Sequence, residues 1–112
     1  MADTLGTFEQ AVLLAILRLG DGAYGRAILK EVQTRAERPV AAGAVHATLD
    51  RLEAKALVSS RLEPGTAIRA GRARRFYRLR RAGVHALNDA RDAVETLWKD
   101  IRWPVKLANQ SP

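Results

Sequence analysis

The sequence contains no cysteine, so neither a disulfide framework nor a thiolate metal site can form. It also lacks a long apolar run, because the longest, Ala11 to Leu17, is far too short to cross a bilayer. The opening stretch, MADTLGTFEQ, carries acidic Asp3 and Glu9 and no basic residue, unlike a secretory signal peptide. These absences predict a soluble, cytoplasmic protein that does not contact a membrane.

Patterns typical of enzymes are missing as well. There is no glycine-rich loop ending in Gly-Lys, and Ser59 and Ser60 have no histidine partner in the same segment. His46 and His85 each precede an aspartate by four residues, but two ligands are too few for an ordinary metal site. Such pairs are more typical of helix-surface hydrogen bonds. We therefore expect no enzymatic activity, no metal and no cofactor.

The net charge of +7 is confined to one segment of the 112 residues. Between Arg61 and Arg81 there are eight arginines and one acidic residue, whereas the rest of the chain has 11 basic and 11 acidic residues. A localised basic segment is typical of a surface that binds a polyanion. A solvated charge run, or a general preference for arginine over lysine, is the alternative. The clustering argues against that alternative.

Hydrophobic periodicity predicts four helices and two strands. Apolar residues recur at helical spacing in TFEQAVLLAILRLG, GRAILKEVQTRAE, AAGAVHATLDRLEAKALV and RAGVHALNDARDAVETLWKDIRW. Thr7 with Gln10 is the expected capping box of the first helix, Gly20 and Gly22 end it, and Pro104 closes the last helix. Two strands are predicted at LVSSRLE and RRFYRL, joined by the loop PGTAIRAGRA.

This order predicts a mainly α fold with a β-hairpin, namely a winged helix-turn-helix plus a long C-terminal helix. We divide the chain into a DNA-binding domain over residues 1–81, a dimerisation helix over residues 82–104 and a flexible tail over residues 105–112. In such a fold the third helix enters the major groove and the hairpin, or wing, reaches the neighbouring backbone or minor groove. Strand alternation places Tyr77 and Leu79 in the core, with Arg74 and Arg78 outside.

The third predicted helix has a core side and a side of small residues. Val45, Leu49, Leu52 and Ala56 fall on the core side. Opposite them, small side chains would let the backbone sit deep in a groove, and Arg51 is the best donor to a base unless it pairs with a nearby acid. The start of the second helix would attract phosphate. The predicted DNA-binding residues are Tyr24, Arg26, Gly43, Ala44, His46, Ala47, Arg51, Arg69, Arg72, Arg74 and Arg75.

The last helix carries an apolar stripe that alternates steps of three and four residues. A winged domain does not need a helix this long for its own core, so the stripe predicts pairing with a second subunit. Trp98 and Trp103 are more typical of interface anchors than of ligand platforms. The predicted dimerisation residues are Val84, Leu87, Val94, Trp98 and Ile101.

Four stretches, LLAILRLGDGAYGRAILKEV, LDRLEAKALVSS, GRARRFYRLRRAG and the helix after it, resemble the PadR family of bacterial transcriptional regulators. The resemblance covers roughly Leu5 to Leu97 and implies a homodimeric winged-helix repressor of the short subgroup, with a single C-terminal dimerisation helix. It also implies a possible small aromatic effector, which some members of the family bind between subunits near this helix.

The chain departs from the family pattern at four positions. His46 and Ala47 stand where members often have tyrosine and proline. Ala56 replaces the usual glycine before the first strand, and Arg80 replaces the usual threonine before the last helix, which removes an N-cap side chain.

Other interpretations stay open from the sequence. A small basic RNA-binding protein would need base-stacking aromatics on an exposed sheet, and only Phe76 is a candidate. A second alternative is an effector-sensing dimer with a ligand site near the C-terminal helices. A module whose wing contacts an acidic protein is a third.

Overall fold

The computed structural model describes residues 4–65 and 71–107. Helices α1 (Thr7–Leu19), α2 (Gly25–Ala36) and α3 (Ala42–Ala54) precede strands β1 (Val58–Glu63) and β2 (Arg74–Leu79), and helix α4 (Arg81–Trp98) follows. The strands form an antiparallel hairpin whose register runs from Val58 opposite Leu79 to Glu63 opposite Arg74. The winged helix-turn-helix with one C-terminal helix that the sequence predicts is confirmed.

One hydrophobic core joins the three N-terminal helices, the hairpin and the first half of α4. The helices α1 to α3 and strand β2, which contributes Tyr77, bury one apolar side each, and the loss of this apolar surface from water stabilises the fold. The buried hydrophobic residues are Leu5, Val12, Leu13, Ala15, Ile16, Ala23, Ile28, Val32, Val45, Leu49, Leu52, Val58, Tyr77 and Ala90.

The core side of α3 differs from the prediction at one residue. Ala56 is exposed, because α3 ends at Ala54 and Ala56 lies in the following turn with a φ of 61°. Thr48, which the prediction did not include on the core side, is buried next to Leu49. Ala56 therefore adopts a left-handed conformation that favours glycine, at the position where the family has glycine.

The N-cap of α1 is Gly6 rather than the predicted Thr7, because Gly6 is the last extended residue before the helix. The Glu9 carboxylate accepts a hydrogen bond from the Gly6 N–H at 3.1 Å and lies 3.2 Å from the Lys55 ammonium, beyond the end of α3. Partial burial raises the pKa of Glu9, but the hydrogen bond from Gly6 and the charge of Lys55 outweigh it, so this pKa lies below its ordinary value. Glu9 thus links the start of α1 to the end of α3.

The start of helix α4 packs very closely against the backbone of Leu57, just before β1. The Arg80 N–H donates to the Leu57 carbonyl oxygen at 2.9 Å, and a Cβ atom on Gly83 would lie 2.3 Å from that same oxygen. Only glycine permits this approach. Arg80, the N-cap residue, makes no side-chain capping bond, as its replacement of threonine predicts.

The prediction that α4 runs on to Pro104 is wrong, because the helix ends at Trp98 and Asp100 has a φ of 66°. The residues from 99 to 107 are all exposed, so no packing against the core supports further turns beyond Trp98. Proline also disfavours the helical conformation in the residue before it, Trp103. Among the helices in residues 4–65 and 71–107, none is long and apolar enough to cross a membrane.

Candidate nucleic-acid interface

A cleft of about 360 Å³ lies where the start of α2, the middle of α3 and the loop end of β2 meet. Three of its residues belong to α2 or its N-cap, one to α3 and the others to the wing. They are Tyr24, Gly25, Arg26, His46, Arg72, Ala73, Arg74, Arg75 and Tyr77. Six of the predicted DNA-binding residues are therefore brought together from three segments that are distant in the sequence.

Tyr24 is held in this cleft by a row of rings and guanidinium groups. It forms an isolated antiparallel bridge with Phe76, and their ring centroids lie 5.6 Å apart. The Arg74 guanidinium lies 4.1 Å from the Tyr24 ring centroid, and the Arg61 guanidinium lies 5.0 Å from that of Phe76. The Arg74–Tyr24 contact holds the wing against the start of α2 and orients Arg74 at the cleft, whereas the Arg61–Phe76 contact lies within the hairpin.

The start of α2 adds backbone donors to this cationic cleft. Tyr24, the N-cap residue, makes no side-chain capping bond, and the first described α-helical bond to this end runs from the Ile28 N–H to the Tyr24 carbonyl. Gly25 and Arg26 line the cleft. A helix N-terminus carries a partial positive charge, so this end attracts an anion together with the arginines.

The exposed side of α3 is small and open. Gly43, Ala44, His46 and Ala47 are all exposed. Gly43 and His46 also line a second groove of about 480 Å³ between α2 and α3, next to Arg26. Such a surface allows close approach of a flat or grooved partner. The His46 Nε2 atom lies 4.0 Å from a carboxylate oxygen of Asp50.

Arg51 lies away from this cleft. Its guanidinium donates to the buried Thr48 hydroxyl at 3.1 Å. Burial raises the pKa of Glu9 on α1, whereas Gly6 and Lys55 lower it, and the charge of Arg51 adds a smaller lowering effect. The two acids nearest to it in the sequence, Asp50 and Glu53, contact His46 and Ser60 rather than Arg51.

Arg75 is connected to α3 through a serine that the sequence did not single out. Its guanidinium donates to the Ser60 hydroxyl at 3.0 Å, and that hydroxyl donates to the Glu53 carboxylate at 2.6 Å. Strand register places Ser60 opposite Tyr77, on the side of the hairpin that faces α3. The alternation of β1 could have indicated that side, but the proximity of Glu53 depends on how α3 packs.

The base of the wing loop is closed by two glycines. A Cβ atom on Gly65 would lie 2.0 Å from the Gly71 carbonyl oxygen, so the two backbones touch, and Gly71 has a φ of 76°. Arg72 follows directly and lines the cleft. The predicted contact Arg69 lies outside the described residues.

A second exposed surface lies on α4. Val84, Val94 and Trp98 are 43%, 48% and 40% exposed, whereas Leu87 packs partly against the core. Ile101 lies beyond the helix end and is 55% exposed, so it does not extend a helical stripe. The prediction missed other exposed apolar residues, namely Leu97 on α4 and Leu14 and Leu17 on α1.

A winged helix-turn-helix whose α2, α3 and wing surround an arginine-lined cleft defines the class of winged-helix nucleic-acid-binding proteins. The model of the PadR-like family of transcriptional regulators matches residues 13–89, which is more than half of the chain. The chain belongs to this family. Among curated proteins, none is significantly similar to it in sequence.

Solved structures agree with this assignment. A PadR-like transcription factor from Bacteroides fragilis is 25% identical, with a TM-score of 0.67, over 82% of this chain and 84% of that one. A PadR-like regulator from Bacillus cereus is 18% identical, with a TM-score of 0.66 and the same coverage. Bordetella bronchiseptica BpsR, whose DNA binding is regulated by 6-hydroxynicotinic acid, is 16% identical, with a TM-score of 0.62, over 98% of this chain and 75% of that one.

Proposed function

We propose that the protein is a homodimeric repressor that binds an inverted-repeat operator in double-stranded DNA. The observation that carries this proposal is the cleft in which the wing arginines Arg72, Arg74 and Arg75 lie beside the open start of α2 and His46, which is on the exposed side of α3. This arrangement matches a DNA backbone beside a major groove.

Different parts of the surface have different tasks in this proposal. The wing arginines and Arg26 bind phosphates and so contribute affinity for any DNA. The α3 side enters the major groove, where the methyl groups of Ala44 and Ala47 can contact thymine methyls. Small residues offer few hydrogen bonds, so direct readout covers a short half-site. Arginines near a narrow minor groove add a preference for A·T-rich flanks.

Arg51 is the sharpest test of how α3 is used. To reach a base it must give up its bond to the Thr48 hydroxyl. If it reads a base, Arg51→Ala weakens binding to the cognate site by about 1–3 kcal/mol more than binding to random DNA. Equal losses on both DNAs would remove Arg51 from the set of base-reading residues. Equilibrium shift assays on the two duplexes measure this difference.

The dimer is proposed from the exposed apolar residues of α4 together with Leu17 of α1, which lines one groove with Val84. Exposed apolar side chains of this size commonly mark an interface between proteins. A two-fold axis relates two α3 helices, so each meets the major groove of its own half-site on one face of the duplex.

The proposal is tested by a shift assay with DNA from upstream of the protein's own gene. Binding that resists excess unrelated DNA supports it, and binding that unrelated DNA removes completely contradicts sequence specificity. The same assay with single-stranded RNA tests the RNA-binding alternative. Phe76, the candidate for base stacking, is flanked by Tyr24 and Arg61, which leaves its ring poorly placed to stack on a base.

Effector binding is a second candidate function, favoured by one cleft. A space of about 700 Å³ separates the segment around Leu5 from α4, and it is lined by alanines together with Lys55, His85 and Asp89. Its apolar wall with a few polar groups suits a small aromatic acid. Thermal melting of the protein with benzoate and with 6-hydroxynicotinate tests this. A melting temperature unchanged by either compound, at concentrations that saturate typical regulators, would contradict it for these ligands.

A further inference from the structure

We infer that Ser60 and Glu53 are positioning residues that present the Arg75 guanidinium to DNA. This inference rests on the proposed function and adds two residues to it that do not themselves line the cationic cleft. The three side chains connect α3 to the wing through β1, since Glu53 belongs to α3, Ser60 to β1 and Arg75 to β2.

The direction of the hydrogen bonds fixes what Ser60 does. A serine hydroxyl has one proton to donate and two lone pairs that accept. Its proton goes to the Glu53 carboxylate, with the two oxygens 2.6 Å apart. Only the lone pairs are then left for Arg75, whose Nη1 atom lies 3.0 Å away. Glu53 therefore makes the Ser60 hydroxyl an acceptor toward Arg75, and the hydroxyl in turn fixes the position of the Arg75 guanidinium.

The serine also keeps the charge of Arg75 available. A direct ion pair with Glu53 would occupy the guanidinium and neutralise it, whereas the neutral hydroxyl engages Nη1 alone. A guanidinium has five N–H donors, so most of them stay free for a phosphate. Arg75 is exposed and lines the cleft, which is where those donors are needed.

These contacts suit positioning rather than folding. The Arg75–Ser60 and Ser60–Glu53 bonds are both exposed, and exposed contacts between polar groups contribute little to stability. Holding a long side chain in its bound rotamer instead lowers the entropy lost on association, so the benefit falls on DNA affinity.

Ser60→Ala is the best probe, because it removes the hydroxyl without changing the net charge. Ser59→Ala is its matched control, since Ser59 is the neighbouring residue of β1 and pairs with Arg78 on the other side of the hairpin. Ser60→Thr restores a hydroxyl on a residue that strands favour. DNA affinity is measured in shift assays against salt concentration, with thermal melting as the check on folding.

We expect Ser60→Ala to weaken DNA binding by roughly three- to tenfold. The slope of log affinity against log salt should fall by about 0.9, the loss of one phosphate contact. Ser59→Ala should leave both unchanged, and Ser60→Thr should recover most of the loss. In an Arg75→Ala background, Ser60→Ala should have no further effect, because its action passes through that arginine.

Two results would overturn the inference while leaving the proposed function intact. One is wild-type affinity in Ser60→Ala, and the other is an equal loss in the presence and absence of Arg75. Tighter binding by Ser60→Ala would also contradict it, because the serine would then be restraining Arg75 away from DNA. Failure of the wild-type protein to bind DNA at all is a separate outcome that rejects the proposed function and this inference together.

Discussion

The cationic cleft and the apolar surface of α4 differ in how their side chains are held in place. At the cationic cleft, Arg74 lies on the Tyr24 ring and Arg75 is bonded to Ser60, so these two arginines are each supported by a contact within the protein. Beyond Ala90, by contrast, every α4 residue is exposed, and no residue within 4–65 or 71–107 buries the apolar Val94 and Trp98.

This difference separates two kinds of binding surface. A polyanion is recognised by charges held in place before it arrives, which limits the entropy cost of binding. An apolar helix face gains its free energy only when another apolar surface covers it. On the proposal above, each subunit therefore supplies its own cleft, whereas the distal half of α4 is covered only in the proposed dimer. The predictions below test whether the two surfaces can be damaged separately.

The largest effect is expected from Trp98→Asp. A charge at the centre of an apolar interface should weaken dimerisation by at least about 2 kcal/mol, the usual threshold for an interface hot spot. Sedimentation should then show monomers at micromolar concentration, with an unchanged far-UV spectrum. Thr96→Asp, on the other side of the same helix, is the control and should remain dimeric. A dimeric Trp98→Asp protein would place the interface elsewhere.

Gly83→Ala should come next, because it tests the tightly packed first turn of α4, in contrast to the exposed distal half. The added methyl would lie 2.3 Å from the Leu57 carbonyl oxygen, so the helix must shift. We expect a loss of about 1–3 kcal/mol in the free energy of unfolding. Gly43→Ala is the opposite case, since a Cβ there meets nothing within 4 Å in the chain. It should be neutral or stabilising by up to about 1 kcal/mol, as measured by denaturant unfolding.

Arg74→Ala should weaken binding to cognate and random DNA alike, by about 1–2 kcal/mol, and lower the salt slope by about 0.9. The dimer should persist, which is the converse of Trp98→Asp. Arg78→Ala is the control, because Arg78 lies on the same strand but lines a different cleft. A selective loss on cognate DNA would instead make Arg74 a base-reading residue.

The smallest effect, and one of opposite sign, is expected from Ala56→Gly. Ala56 has a φ of 61°, a conformation that costs alanine more than glycine. Glycine should therefore stabilise the protein by up to about 1 kcal/mol, although it also increases the entropy of the unfolded chain. Ala47→Gly, inside α3, should destabilise by about 0.5–1 kcal/mol. A destabilised Ala56→Gly protein would mean that the turn carries no strain.

Much of this architecture could be predicted from the sequence, because it depends on local periodicity. The core sides of α1, α2 and α3 follow a helical period, and the alternation of β2 correctly places Tyr77 inside and Arg78 outside. The expectation that Arg74 also lies outside is wrong in part, because Arg74 is half-buried against the Tyr24 ring. Strand alternation and a cluster of arginines were enough to indicate the wing.

Features that depend on tertiary packing could not be predicted in this way. The link from Arg75 to Glu53 depends on where β1 lies beside α3, which strand alternation does not reveal. The end of α4 was misplaced because the heptad-like spacing continues to Ile101, whereas packing against the body stops at Ala90.

Footprinting on the operator tests most directly the central claim that a two-fold dimer presents two α3 helices to one face of the duplex. We predict a protected region with two-fold symmetry, whose half-site centres lie about 10 bp or a multiple apart. Inserting five base pairs between the half-sites rotates them to opposite faces and should abolish tight binding. A protected region without two-fold symmetry, or an affinity that the insertion leaves unchanged, would contradict the account.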